Sequence, residues 1–449
     1  MTQCTTPPLT FASLGSRRVE ADFSGGDLTT DAGALLLREA DQRIGLINAL
    51  NDVLPDPRDP VFVTHPQRAL LTQRILGIAC GYEDLNDHDT LRHDPLWQAV
   101  AEYDPSAEQP LASSPTLCRL ENRVSRATMF RLANVLVEKF IASHIVAPDC
   151  LILDFDATDD IVHGHQEGRF FHGYYDNYCF LPLYVFCGDQ LLVAYLRTAD
   201  NDAALHTRAI LKLLVQRLRA AWPEVRIIIR GDSGFCRWRL MRWCDHHGIG
   251  YILGLARNSR LEAMVAPLTY EAAVRFERTG QPVRLFDTIS YAAGSWDRTR
   301  RVIIKAEHNA LGANPRFVVV NLPGAPQCLY DEVYCARGEM ENRIKEQQLM
   351  LFADRTSCHK FLANQFRLLL SAASYVLVET VRRLGLAGTE MARAQVSTLR
   401  LKLFKVAGLV AVSVRRVYVR LASGFPLQDL FALVLQRLRG DIAIDAATG

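Results

Sequence analysis

The sequence predicts an α/β protein: a mixed five-stranded sheet flanked by helices, preceded by a helical N-terminal region and interrupted by a β-rich insertion. Residues up to about 148 hold apolar positions at helical spacing. Short apolar runs of strand length begin at Leu151. From there the order runs β, β, β, α, β, α, β, so two antiparallel pairings lead into parallel βαβ units. The chain has 449 residues, 49% of them hydrophobic and 22% charged, which excludes collagen-like, disordered and low-complexity classes. At about 150 residues per domain, two or three domains are expected. They are placed at 1–148 (helical), 149–384 (the sheet, with the insertion at about 257–330) and 385–449 (basic).

Along the N-terminal region, Thr30 opens a helix through Ala32, Leu35, Leu36 and Leu37. Thr64 and Pro66 open another that Gly81 stops. Ser114-Pro115 is a cap followed by an N1 proline, and an amphipathic stretch runs from Arg126 to Val146. Leu151–Asp156 is the first strand. Phe180–Phe186 and Leu191–Leu196 form a hairpin about a Cys-Gly-Asp-Gln turn. Ala203–Ala221 is helical, and Val225–Arg230 is a buried-type strand ending at Gly231-Asp232-Ser233-Gly234. Helix 237–247 and strand Ile249–Leu255 follow. In the insertion, strand-like pieces recur at Val283–Tyr291, Arg301–Lys305 and Phe317–Val320. Helices resume over 336–352 and 360–384. In the tail, Leu399, Leu401 and Leu403 alternate with Arg400 and Lys402, and Val410–Leu421 carries Arg415, Arg416 and Arg420. This pattern fits a basic-faced hairpin better than a helix.

The net charge of +2 hides a gradient: −7 over residues 1–150, +2 over 151–364 and +7 over 365–449. The basic tail suits either a polyanion partner or a solvated face. Eleven Cys without any Cys-x-x-Cys pair point to reduced thiols rather than a zinc site or a disulfide framework. His163 and His165 lack a second ligand pair, so zinc is not expected. Gly248-x-Gly250 lacks the strand-then-helix context of a dinucleotide loop and no P-loop motif occurs, so no nucleotide cofactor is expected. No uncharged apolar run approaches the roughly 20 residues of a membrane helix, and the N-terminus lacks a signal-peptide pattern. A cytoplasmic location without membrane association follows as the expectation.

Three acids stand where a metal site can be built. Asp156 ends the first strand, Asp232 ends the strand VRIIIR, and Glu341 lies on the helix after the insertion. Strand ends are where sites collect in α/β sheets. Magnesium takes oxygen ligands, one or two carboxylates per ion, and two such ions serve phosphodiester chemistry. Asp154 competes with Asp156 for the first position, and Asp232 before Ser233-Gly234 also fits a simple turn acid. Tyr334, Arg337, Glu341 and Gln348 are spaced so that at ~100° per residue they fall within an arc of roughly 60°. An acid, a cation and a phenol therefore share one helix face, which suits either a metal with a phosphate backbone or a plain Arg337–Glu341 surface pair.

The stretch from about 150 to 355 resembles the DDE transposases of bacterial insertion sequences. One branch of these marks its glutamate with Tyr, two residues, Arg, three residues, Glu, six residues, Lys. Here that pattern reads Tyr334, Arg337 and Glu341, with Gln348 where the pattern has Lys; Lys345 is the nearest replacement. The resemblance implies an RNase H-like core with a β-rich insertion before the glutamate helix. It also implies two Mg²⁺ ions, replaceable by Mn²⁺, on Asp156, Asp232 and Glu341. In that setting Tyr334 and Arg337 hold the DNA backbone. The activity implied is hydrolysis at transposon ends followed by strand transfer. The partners implied are terminal inverted repeats and target DNA, with at least a homodimer in the synaptic complex and a bacterial, nucleoid-associated location.

Branch members use an insertion aromatic to stack on an unstacked base. The candidate here is Trp296, followed by Arg298, Arg300 and Arg301, with packing on its own sheet as the alternative. Arg400, Lys402, Arg415 and Arg416 are candidate phosphate contacts. The resemblance assigns end recognition to the N-terminal helical region, although its net charge is −7 and its basic residues, Arg119, Arg123, Arg126 and Arg131, lie only loosely on one side. A nuclease of the same fold that does not join, and a silent DNA-binding derivative, are the rival readings.

Overall fold

In the computed structural model, which describes residues 8–107 and 109–442, the short apolar runs after residue 150 become strands of one nine-stranded sheet. The strands are β1 (Cys150–Ala157), β2 (Leu183–Cys187), β3 (Gln190–Tyr195), β4 (Arg226–Gly231), β5 (Gly250–Leu255), β6 (Val283–Tyr291), β7 (Arg300–Asn309), β8 (Gly312–Ala313) and β9 (Arg316–Val320). Their order is β6-β7-β9-β5-β4-β1-β2-β3, with the short β8 on β7. β1, β4 and β5 are parallel neighbours, while β2, β3 and the insertion strands run antiparallel to theirs.

The period of two sorts each strand's side chains onto two faces. Leu151, Leu153 and Phe155 of β1, Ile227 and Ile229 of β4, and Tyr251 and Leu253 of β5 belong to one large buried cluster. Four helices supply its other half: α1 (Arg126–Ala142), α2 (Thr207–Ala221), α3 (Trp238–His246) and α4 (Ser259–Thr279), through Phe140, Leu211, Leu218, Met241 and Leu261. Each such side chain, fully buried, contributes on the order of 2 kcal/mol. The alternate positions, Asp154, Asp156, Arg230 and Gly254, face the other way. There Ile252, Ile303, Val318 and Val320 pack against Leu329 and Tyr330. These last two open a helical stretch that runs through α5 (Gly338–Lys345) to Met350 with tight and wide turns at its ends. The apolar helix α6 (Phe361–Thr380) covers β2 and β3 on this side: Gln365 Oε1 accepts from the Leu196 amide at 2.5 Å, and the Tyr375 hydroxyl donates to the Asp189 carbonyl at 2.8 Å. Residues Phe361–Gly385 are long and apolar enough to cross a bilayer, yet their most apolar window is 78% buried within the molecule.

The expected insertion strands are present, but the insertion is not purely β. It opens with the 21-residue α4, capped by Asn258, whose side chain accepts from the Leu261 amide at 3.0 Å. Only Leu261, Val265 and Ala272 are buried along it and Pro267 lies within it, so the apolar period was faint. The insertion also forms no sheet of its own, because β9 pairs with β5 and extends the main sheet.

Two compact units divide the chain: one takes the segment up to Ile47, Asp56–Leu120 and the chain from Thr380 onward, the other Asn48–Pro55 and Glu121–Glu379. The first unit is mainly helical, with helices at Ala34–Ile44, Gln67–Cys80 and Gln428–Arg439. Gly81 ends the second of these at φ 100°, a backbone shape glycine adopts without strain. Two of its segments depart from expectation. Leu9–Leu14 and Arg17–Ala21 form an exposed hairpin turned at Gly15, where helix was expected. Residues 396–404 are helical rather than one arm of a hairpin. Leu399, Leu403 and Phe404 are buried while Leu401 is 72% exposed, so the i, i+4 spacing overrode the apparent alternation. The hairpin lies wholly downstream, between Gly408–Ser413 and Arg416–Leu421. None of the ten described cysteines is in a disulfide.

Candidate active site

Parallel pairing brings the C-terminal ends of β1, β4 and β5 together, and the helical stretch around Arg337 crosses the same face. Asp156 is the penultimate residue of β1, with Oδ1 accepting from the Ala157 amide at 3.0 Å. Asp232 follows β4 and accepts from the Gly234 amide at 2.8 Å, so it caps the turn Ser233–Phe235 as well as facing the strand ends. Arg337 joins strand to helix: Nη2 donates to Asp156 Oδ2 at 3.1 Å and Nη1 to Glu341 Oε1 at 2.8 Å. Its buried Nε–H has no acceptor.

The electrostatics agree with this geometry. Burial raises the Asp156 carboxyl to about 6; nearby Arg337 opposes the shift, while Asp232 and Glu341 add to it. Burial pulls the Arg337 guanidinium downward, but the field of Asp156, Asp232 and Glu341 outweighs it and raises its proton affinity. Burial also raises the Tyr334 phenol. Tyr334 sits against β5 because residue 254 is glycine: a Cβ there would lie 2.7 Å from the Tyr334 hydroxyl and 2.9 Å from the Ser233 nitrogen.

Asp154, the competitor for the first acid, is engaged elsewhere. It stands opposite Arg230 in the β1–β4 register, and Arg230 holds both its carboxylate oxygens, the Nη2 contact measuring 2.7 Å. Arg230 also donates to the Val333 carbonyl, tying the Tyr334 helix to the sheet. Both side chains are buried, so the pair is part of the framework beneath the site.

The three acids are all hard oxygen donors, as magnesium requires; Arg337 pairs with Asp156 and Glu341 and feels the field of Asp232. The donor chemistry therefore fits a divalent ion. In the present arrangement, among the described residues, no three His, Cys, Asp or Glu side chains converge on one point, and the Arg337 guanidinium bridges Asp156 and Glu341.

Beside Asp232 opens a cleft of about 510 Å³, lined among others by Arg257, Lys305, Arg316, Tyr330 and Tyr334. None of its three cations was singled out in the sequence. Only the strand register shows that the ends of β5 and β7 and the start of β9 meet here.

The same register separates other candidates from the acids. Arg300 and Arg301 begin β7 beside Val320, the end of β9, so the turn holding Trp296 and Arg298 lies at the opposite end of the sheet. Trp296 packs edge-on against Tyr291 with centroids 5.5 Å apart, under the Arg300 guanidinium. Arg298 pairs with Asp245 at 2.5 Å, Arg300 with Asp297 at 2.9 Å and Asp245 at 3.2 Å, and Arg301 donates to the Leu322 and Gly324 carbonyls. Packing on its own sheet is thus the placement found for Trp296. Lys345 is exposed on α5, one turn beyond Glu341. Gln348 turns inward to the chain following β1. In the first unit, Lys402, Arg415 and Arg416 are exposed, whereas Arg400 donates to the Ala79 and Ile78 carbonyls.

The family model described as transposase DDE domain group 1 matches residues 11–441. No curated protein matches the sequence. Among solved structures, the chain is similar to that of a piggyBac transposase synaptic complex with hairpin DNA, determined by cryo-electron microscopy. The TM-score is 0.40 and the identity 11%, over 84% of this chain and 80% of that one.

Proposed function

The chain belongs to the DDE transposase family, and on that premise we propose that it cuts DNA at the ends of a bacterial insertion sequence and joins the freed ends to target DNA. The carrying observation is the convergence of Asp156, Glu341 and the field of Asp232 on one guanidinium, Arg337. The order β3-β2-β1-β4-β5, antiparallel through its first three strands and parallel through its last three, supports an RNase H-like core at the centre of the nine-stranded sheet. Asp156 is the better first acid, since Asp154 is consumed by Arg230.

Asp156, Asp232 and Glu341 would hold two Mg²⁺ ions, or Mn²⁺ in their place. Bound there, the ions supply a nucleophilic oxygen at neutral pH and charge stabilisation of the leaving oxygen. The side chains do the positioning. Arg337, with a buried N–H already unpartnered, donates to a non-bridging oxygen of the scissile phosphate. Tyr334, set close by Gly254, holds the neighbouring backbone. Exposed Arg257 and Arg316 give the DNA strand a cationic wall beyond Asp232, while Lys305 beside them is buried and paired with Glu307 at 2.7 Å. In the first step a water oxygen bonds to phosphorus and the bond to the 3′-oxygen breaks, leaving a 3′-hydroxyl and a 5′-phosphate. In the second, that 3′-oxygen bonds to a target phosphorus as a target P–O bond breaks, so bond number is conserved and no co-reactant is needed. Exposed Lys402, Arg415 and Arg416 are further DNA contacts in this reading. Synapsis of two ends calls for a homodimer.

Incubating the protein with DNA spanning the ends of its own element, in Mg²⁺ or EDTA, tests the reading. Metal-dependent nicks at the repeat boundary followed by joined products are expected. Nicks without joining would leave a nuclease, and binding without nicks in Mg²⁺ or Mn²⁺ would leave a silent DNA-binding protein.

A further inference from the structure

Gln348 follows Glu341 by seven residues, about two helical turns on the same face. Its carboxamide nitrogen reaches the segment just beyond Asp156. It donates to the Asp159 carbonyl at 3.1 Å and to Asp160 Oδ1 at 2.9 Å, and lies 3.4 Å from Thr158 Oγ1. Asp160 is fully buried, and its other oxygen has no hydrogen-bond partner. The nearby Tyr184 hydroxyl, whose residue stands opposite Asp156 in the β1–β2 register, is likewise buried and unpartnered. The amide of Gln348 is therefore the group that meets this otherwise costly carboxyl.

Two straps thus join the end of β1 to the Glu341 helix. Arg337 is one, about a turn before Glu341, and it grips Asp156 and Glu341 themselves. Gln348 is the other, two turns after, and it grips only the chain behind Asp156. Once Asp156 and Glu341 serve a cation, Arg337 loses the oxygens it now holds, while the Gln348 bonds are untouched. A lysine at this position, as in the family motif, would bring a charge; the neutral amide brings a tie.

We propose that Gln348 is a positioning residue: by holding Asp159 and Asp160 it sets the spacing of Asp156 from Glu341 when Arg337 releases them. The proposal rests on the reading of those two acids as metal-holding residues.

The test compares Gln348→Ala, Gln348→Asn, Asp160→Ala and Asp160→Asn with wild type. Mn²⁺ binding to the protein alone is followed by electron paramagnetic resonance, amide exchange over residues 157–161 by mass spectrometry, and stability by melting. Loss of the amide is expected to weaken Mn²⁺ binding about 10-fold, as removal of outer-shell partners does. It should also speed exchange over 157–161 and lower the melting temperature, because buried Asp160 loses its amide partner, with Gln348→Asn, a methylene too short, moving the same way. Asp160→Asn keeps the acceptor and should stay within about twofold of wild type, whereas Asp160→Ala should follow Gln348→Ala. Variants that lose stability but bind Mn²⁺ as wild type does would overturn the tie as a positioning device. Wild type that neither binds Mn²⁺ nor nicks end DNA would instead overturn the functional reading, and this proposal with it. Wild type that does both, with variants that match it, would overturn this proposal alone.

Discussion

The two ends of the sheet carry similar residue types and use them in opposite ways. At the far end Arg298, Arg300 and Arg301 meet Asp245, Asp297 and two backbone carbonyls, so each cation has its acceptors and Trp296 closes over Arg300. At the near end Asp156 and Glu341 share one guanidinium with Asp232 in its field, and Asp156 is raised to about 6 by burial and by the other two acids. Balanced charge holds the fold together; unbalanced charge, kept under a helix, is prepared to accept something else. A run of arginines beside a tryptophan and a set of scattered acids look equally suggestive in the sequence, and only their local compensation tells them apart.

The largest effect expected of this difference is at the near end. Asp232→Asn keeps an acceptor for the Gly234 amide, so the protein should fold and bind end DNA while cleavage in Mg²⁺ falls below detection. A variant that still nicks would remove Asp232 from the site. At the far end, Arg300→Met should cost about 1–3 kcal/mol in denaturant unfolding by taking one of Asp245's two arginines and the partner of Asp297, with the folded fraction still cutting. Loss of cutting at full stability would erase the contrast.

A smaller effect separates the ends by pH. Asp156 titrates near 6 when folded against 3.8 when unfolded. The folded chain therefore holds a proton through that window that the unfolded chain has released, and stability falls as pH rises from about 4 to 6. Asp156→Asn should flatten that slope and raise stability at pH 7, on the order of 1–3 kcal/mol. A lower melting temperature at pH 7 would contradict it. The smallest effect belongs to Trp296→Ala, which should leave the cleavage rate within about twofold while lowering stability by roughly 1–3 kcal/mol through lost packing on Tyr291. A large rate loss without destabilisation would return Trp296 to the DNA.

Strand ends and helix faces were legible because they follow from local pattern. VRIIIR ends in an acid whatever it pairs with, and Tyr334, Arg337 and Glu341 share a face by spacing alone. What escaped depends on pairing between distant segments. The β1–β4 register sets Asp154 against Arg230, and the β5–β9 pairing makes the insertion a continuation of the main sheet. The β7–β9 register sends Trp296 to one end and Lys305 to the other. Local pattern also misled where burial ran at another period, as at Leu399, Leu401 and Leu403, and where the apolar stripe was thin, as along α4.

The most direct test of the central claim sets Asp154→Asn beside Asp156→Asn, two acids on one face of β1 with opposite surroundings. End DNA is incubated with equal folded amounts of each in Mg²⁺, and nicks are counted. The account predicts nicks from the folded fraction of Asp154→Asn, with stability reduced, and none from Asp156→Asn, with stability kept or raised. Nicking by Asp156→Asn at the wild-type rate would show that the acid gathered under Arg337 is not the one that cuts.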